Sequence, residues 1–195
     1  MSAVAIVPAA GKGERFGGVK LMARFKDEPL INWTLWSLLD GGVANVVVVT
    51  APGADFYEAK LMNDPRVSVV VNEDPSRGMF SSIQAGVAEA SGDPILILPG
   101  DMPFVSADTV SLVLDTARRT GRIVSPRFEG RRGHPIAVPD RLRAQILAAE
   151  PRTTLASILD QHEADRHSVD VADSGVLRDV DVVADLWPEK DKPSS

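Results

Sequence analysis

Val4-Ala5-Ile6-Val7-Pro8-Ala9-Ala10-Gly11-Lys12-Gly13-Glu14-Arg15-Phe16-Gly17-Gly18-Val19-Lys20 opens the chain with a short apolar run that empties into a loop holding four glycines and three cations. A buried strand followed by such a loop lets backbone N–H groups approach a polyphosphate, because only glycine permits so close an approach and a positive φ. The segment from Lys12 to Lys26 carries five Lys or Arg against one Glu, whereas the chain as a whole has a net charge of −6. That local reversal of sign beside a glycine loop points to an anionic small ligand. The spacing excludes two familiar phosphate loops. No Gly-Lys-Ser/Thr ending follows, and Phe16 stands where a dinucleotide fingerprint places its third glycine.

With 195 residues, 44% of them hydrophobic, the chain can bury a sizeable core. One domain over residues 1–188 is expected, with the polar segment 189–195 as a disordered tail. No apolar stretch approaches the ~18 residues of a membrane span, and no charged-then-apolar leader is read. The absence of cysteine removes disulfides, thiolate metal sites and thiol nucleophiles. An acidic balance disfavours general nucleic-acid binding, so a cytoplasmic enzyme is the expectation.

Apolar runs alternate with helical stretches along the chain. Val4 to Val7, Val46 to Val49, Val67 to Val71, Ile95 to Leu98 and Ile123 to Val124 read as buried strands, short and largely β-branched, of the kind covered on both faces. Between them, Pro29 to Leu39 starts a helix with proline and aligns Leu30, Thr34 and Leu38. Met79 to Ala90 aligns Met79, Ile83, Val87 and Ala90, and Ser106 can cap a helix over Ala107 to Arg119. The alternation predicts a mostly parallel sheet wrapped on both sides, with ligands beyond the carboxyl ends of its strands.

Those strand ends hold the chemistry. After the third run, Asn72 to Ser82 leads into a helix whose Ser81 and Ser82 either hold a base or phosphate, or where Ser76 or Ser81 simply caps the helix. After the fourth, Pro99-Gly100-Asp101-Met102-Pro103 places Asp101 where one carboxylate suits Mg²⁺, or where it bonds its own turn. After the fifth, Gly130 and Gly133 bracket Arg131 and Arg132 in a hairpin, fit to grip a second phosphorylated substrate or merely solvated. His134 beside Pro135 reads first as a structural histidine, and His162 and His167 lack zinc-ligand spacing. Asp179 and Asp181 share a face if their segment is extended, where one could join Asp101 at a cation or simply charge an edge strand.

In order and spacing, the Pro8 to Lys20 loop, Pro29-Leu30, Gly78-Met79-Phe80-Ser81-Ser82 with Ala85-Gly86, Gly100-Asp101-Met102-Pro103, Arg132-Gly133-His134-Pro135 and Asp179-Val180-Asp181 with Asp185-Leu186 resemble the MobA-like nucleotidyltransferases. Within them the chain looks most like the molybdenum cofactor cytidylyltransferases. The resemblance implies a Rossmann-like three-layer α/β sandwich of the nucleotide-diphospho-sugar transferase type. It also implies Mg²⁺-dependent transfer of CMP from CTP to a phosphorylated acceptor, most closely the molybdopterin cofactor, with release of pyrophosphate.

By the same resemblance, Ala9, Ala10, Gly11, Gly13, Arg15, Lys20, Gly78, Ser81, Ser82 and Gly100 bind the nucleotide. Arg15, Lys20 and Asp101 act on its phosphates, Asp101 and Asp181 hold Mg²⁺, and Arg132, Gly133 and His134 face the acceptor. Ala9-Ala10-Gly11, in place of Ala-Gly-Gly, matches the cytidylyl branch, and a Cβ at position 10 narrows room for a purine. Two departures stand out: Arg24 to Glu28 replace a Pro and small residues, and Val182-Val183 replace a Thr-Pro. Methylerythritol phosphate cytidylyltransferases share the opening but carry a different element at Gly100 to Pro103. These, sugar-phosphate nucleotidyltransferases, and a molybdenum-cofactor-binding chaperone that serves a molybdoenzyme with little activity of its own are the alternatives.

Overall fold

The computed structural model describes residues 2–11, 20–56 and 58–186. Its frame is a twisted sheet in the order β10 (Arg166–Asp170), β7 (Ile123–Phe128), β9 (Ile136–Val138), β6 (Ile95–Ile97), β1 (Val4–Pro8), β4 (Asn45–Thr50), β5 (Val67–Val71), with β8 (Arg131–Arg132) paired to β7. The middle is parallel: β1 (Val4–Pro8) lies between β4 (Asn45–Thr50) and β6 (Ile95–Ile97), and β5 (Val67–Val71) pairs with β4. Beyond β6 the direction changes. β9 (Ile136–Val138) runs antiparallel to both β6 and β7 (Ile123–Phe128), and β10 (Arg166–Asp170) returns parallel to β7.

The apolar runs are continuous because each central strand feeds two cores. Ala5 and Val7 pack with Leu35 and Leu38 of α1 (Leu30–Asp40) and with Val110, Val113 and Leu114 of α3 (Ala107–Thr120). Val4 and Ile6 point the other way, onto Phe80, Ile83 and Val87 of α2 (Met79–Glu89), Ile146 of α4 (Arg143–Ala148) and Ile158 of α5 (Leu155–Asp160). The result is the three-layer α/β sandwich with a mostly parallel sheet that the sequence pattern implies. Ser106 caps α3 by accepting a hydrogen bond from the Thr109 N–H, and Asp108 sits in its first turn. Among the described residues no helix is long and apolar enough to cross a membrane.

The structure corrects several details of the strand reading. Val67–Val71 is an edge strand rather than a fully covered one: Val69 is 49% exposed and Val71 45%. A run of valines is equally at home at an edge, and nothing in the run itself marks its place in the sheet. Strand β7 continues past Val124 to Phe128, and its turn is Glu129-Gly130, both at positive φ, so Arg131 and Arg132 form the returning strand β8 instead of the tip. Strand β10 has no apolar alternation to betray it; Arg127 binds its Asp170 bidentately at 2.7 and 2.9 Å. The Arg24 to Glu28 departure folds as a small hairpin of β2 (Arg24–Phe25) and β3 (Glu28–Pro29), with Lys26 and Asp27 both at positive φ.

Helix α2 comes down on the sheet at Gly86, where an added Cβ would stand 2.5 Å from Ile6 Cγ2 and 2.9 Å from Val49 Cγ2. Those contacts are to fully buried side chains that have nowhere to go. Gly86→Ala is therefore expected to destabilise the fold by about 1–3 kcal/mol despite alanine's better helix propensity. A urea midpoint at or above the wild-type value would show that α2 lies farther from β1 than described.

Candidate active site

The backbone ladder between β1 and β6 persists beyond the strands themselves. The Leu98 N–H donates to the Ile6 carbonyl at 3.1 Å, and the Gly100 N–H to the Pro8 carbonyl at 3.0 Å. This extra step holds Asp101 next to the start of the glycine loop. On the far side the Thr34 hydroxyl of α1 donates to the Gly100 carbonyl at 3.0 Å, in a fully buried setting. Leu21 packs beneath the same glycine. The turn is thus fixed from both sides.

A cavity of about 510 Å³ opens at this carboxyl edge. Its walls are Pro8 to Gly11, Lys20 and Leu21, then Pro75, Ser76, Gly78, Met79 and Ser82, with Pro99, Asp101 and Asp181 closing it. Gly78, at φ 90°, lets the chain swing from the short turn Pro75–Arg77 into α2. The helix begins there without a side-chain cap. Of the two serines expected at a base, Ser82 lies on the cavity wall, whereas Ser81 donates to the Gly78 carbonyl at 2.7 Å. Both accept hydrogen bonds from the buried Asn72 amide, at 2.8 Å for Ser81 and 3.0 Å for Ser82.

Lys20 Nζ reaches across the cavity and donates to Asp101 Oδ2 and Asp181 Oδ1, both at 2.9 Å. Burial alone would lower its pKa; the hydrogen bonds and charges of the two aspartates outweigh that and raise it above the ordinary lysine value. Lys20 is therefore a full cation at neutral pH. Asp179 joins the group, since Asp101, Asp179 and Asp181 each offer a carboxylate oxygen within 4.8 Å of the others. Like charges about 4 Å apart near a protein surface repel by about 4 kcal/mol, so three carboxylates this close call for a cation.

Three comparisons with known proteins bear on this arrangement. A family model described as MobA-like NTP transferase domain matches residues 5–167. The chain belongs to the MobA-like NTP transferase family. Within it, the chain is 31% identical over 192 residues to the nicotine blue oxidoreductase of Paenarthrobacter nicotinovorans, covering 93% of each chain. It is 24% identical over 200 residues to the molybdenum cofactor cytidylyltransferase of Escherichia coli K12, covering 98% of each. Among solved structures, Rv0371c of Mycobacterium tuberculosis H37Rv shares the fold, with a TM-score of 0.76, 20% identity and 95% of each chain covered. A complex of Rv0371C with manganese matches at TM-score 0.64 and 16% identity, covering 97% of this chain and 95% of that one.

The part of the site furthest from the family's matched span is the segment carrying Asp179 and Asp181. It is neither strand nor helix, and it is pinned at several points. The Val180 N–H donates to the Asp101 carbonyl at 2.9 Å, and Asp185 Oδ2 accepts from the N–H groups of Asp181 and Val182, both at 2.8 Å. The Arg178 guanidinium lies 3.9 Å from the Phe104 ring centroid. The sequence offers Asp179 and Asp181 as alternatives beside Asp101, whereas the structure brings both to it; the supporting roles of Arg178 and Asp185 have no signal beyond the spacing Arg178-Asp179-x-Asp181 with Asp185 four residues on.

Residues expected at the acceptor separate into two places. The Arg132 guanidinium turns toward β10, donating to both Glu163 carboxylate oxygens at 2.7 and 3.2 Å and to the Ser168 hydroxyl at 3.2 Å. It holds the Glu163 carboxyl below the usual carboxylate range. Gly133 is packed so tightly that a Cβ would sit 2.2 Å from the Val176 carbonyl oxygen. His134 is the member that faces the acids: burial pushes its pKa down, and the nearby Asp101 and Asp179 only partly oppose this. Gly13 and Arg15, with the rest of the loop at 12–19, lie outside the described residues.

The depressed histidine has a sign that can be checked. Between its folded pKa and the ordinary 6.5, the unfolded chain binds a proton that the folded chain refuses, so stability falls as pH drops through about 6.5. The loss stops growing once pH lies below the folded value. A His134→Asn variant is expected to lose less stability than wild type on acidification from pH 7.5 to 5.5. Parallel denaturation midpoints for the two proteins across that range would contradict the assignment.

Proposed function

We propose that the protein transfers CMP from CTP to a phosphorylated small-molecule acceptor, with the molybdopterin cofactor as the first candidate. One observation carries this: a lysine from the end of the glycine loop and an aspartate from the tip of β6 meet inside a single nucleotide-sized cavity. The resemblance to the Escherichia coli cytidylyltransferase over nearly the full chain supports the acceptor class.

A divalent cation fits the residues present. The donor set is three carboxylates, hard oxygen ligands of the kind Mg²⁺ takes, and the Lys20 ammonium already marks where positive charge is needed. Asp101 and Asp181, with Asp179 beside them, would hold Mg²⁺, which supplies neutralisation of phosphate charge when bound. In the reaction, an oxygen of the acceptor's terminal phosphate bonds to the α-phosphorus of CTP. The bond to the β-phosphate oxygen breaks, and pyrophosphate leaves with the electron pair. Both reactants are anions, so the chain's contribution is alignment and charge. Lys20 meets the charge that develops at the α-phosphate. Gly11 and the amides around it admit the phosphates, with Gly13 and Arg15 of the same loop. Ala10, buried beside the cavity, restricts the base to a pyrimidine, and Ser82 lies along it.

Methylerythritol phosphate and sugar phosphates are the competing acceptors. A second reading comes from the 31% relative, whose name denotes an oxidoreductase. The two readings part in one assay. Pyrophosphate release from CTP, GTP, ATP and UTP against molybdopterin, methylerythritol phosphate and sugar phosphates is expected with CTP and molybdopterin. Reduction of nicotine blue, the dye named in that relative, by a supplied two-electron hydride donor in the absence of any triphosphate, with no pyrophosphate formed from any pair, would favour the redox reading. A stable protein–molybdopterin complex that never consumes CTP would identify a carrier. Asp101→Asn and Lys20→Ala are each expected to lower pyrophosphate release by about 10²–10³-fold or more with the fold intact. Ala10→Gly is expected to narrow the preference for CTP over GTP, measured as the ratio of kcat/KM.

A further inference from the structure

Lys20 occupies a position that a metal ion would contest. Its ammonium is bonded to one oxygen of Asp101 and one of Asp181, two of the three carboxylates that converge there. A divalent cation would take its oxygen ligands from these same carboxylates. A carboxylate has lone pairs for more than one partner, but a divalent cation on these groups repels an ammonium held against them, so the two compete for the aspartates.

We propose that Lys20 is an exchangeable counter-ion: it neutralises the aspartates while the site lacks metal, and metal binding releases it to the triphosphate in the same cavity. This rests on the metal-dependent nucleotidyl-transfer reading above. The surrounding geometry separates the moving part from the fixed one. Leu21, the next residue, is buried and packs under Gly100, so the backbone at Lys20 is held. The lysine stem has four rotatable carbons and a point charge, which lets Nζ swing without moving the chain. The released ammonium leaves a half-buried Asp101 and an exposed Asp181, and an anion in the cavity that Lys20 itself lines would satisfy it. Metal and triphosphate are thereby coupled through one side chain, each favouring the other. The same exchange keeps the empty site from presenting three unneutralised carboxylates.

The test uses the full chain and Mn²⁺ alone, without nucleotide, with free Mn²⁺ followed by its electron paramagnetic resonance signal. Lys20→Met is expected to bind Mn²⁺ about tenfold more tightly than wild type, within the usual range of coupling between two competing ligands. Lys20→Arg, which keeps the charge, is expected to stay near wild type. In a second readout, saturating Mn²⁺ should speed acetylation of Lys20 by acetic anhydride, followed by peptide mass, relative to Lys60, which is exposed and away from the cavity. Equal Mn²⁺ affinity in wild type and Lys20→Met, or an unchanged Lys20 acetylation rate, would overturn the exchange while leaving the metal reading standing. Failure of all three proteins to bind Mn²⁺ would overturn the metal reading, and the exchange with it.

Discussion

The hydrogen bond from the Gly100 N–H to the Pro8 carbonyl is the constraint on which the site depends. It extends the β1–β6 ladder one step past the strands, so two loops far apart in sequence leave the sheet side by side. Everything reactive is then placed by what these two loops touch. The Thr34 hydroxyl closes the Gly100 carbonyl from α1, and Val180 reads the Asp101 carbonyl from the last segment. These are backbone groups at the rigid middle of a parallel sheet, where geometry is set by buried strands rather than by mobile loops.

What could be read in the sequence follows from how much local physics each element carries. The central strands were legible because β-branched runs buried on both faces leave an unbroken apolar signature, as in Val46 to Val49. Ser106 and its helix were legible because capping is local chemistry. The place of a strand in the sheet is not local. Val67–Val71 resembles its central neighbours in composition yet stands at the edge, and β10 is held by Arg127–Asp170 pairing that no periodicity announces. At the site, Lys20 and Asp101 were visible as cations and acids at strand ends. Asp179 was weighed only as half of an alternating pair, and its convergence with Asp101 arises from a non-repetitive loop. Arg132 shows the converse: its charge looked available, but a cross-strand carboxylate satisfies it.

Charge in this protein is allotted unevenly. A net charge of −6 would repel a triphosphate at long range, and the chain answers with a local excess of cations in the segment that begins at the glycine loop. Lys20 meets its aspartates at close range, and His134, kept neutral by burial, adds no further charge beside them. A neutral imidazole near Asp101 and Asp179 can donate or accept a hydrogen bond without pulling an acid away from a cation. That arrangement suits chemistry in which charge is balanced first by the lysine and then by a metal.

The family's relatives include proteins named for a transfer reaction and for a redox reaction, on chains that align with this one nearly end to end. A scaffold that supports both must keep the sheet and vary what surrounds the cavity. In this chain the matched span stops at residue 167, while Asp179 and Asp181 and their supports Arg178 and Asp185 lie beyond it. Two of the three carboxylates at the cation position therefore come from outside the part that defines the family. The Arg178 guanidinium on the Phe104 ring fastens that segment to the element bearing Asp101, three residues before Phe104 in sequence. In this chain, then, the convergence of Asp179 and Asp181 on Asp101 depends on how the last segment is fastened, and not on the glycine loop alone.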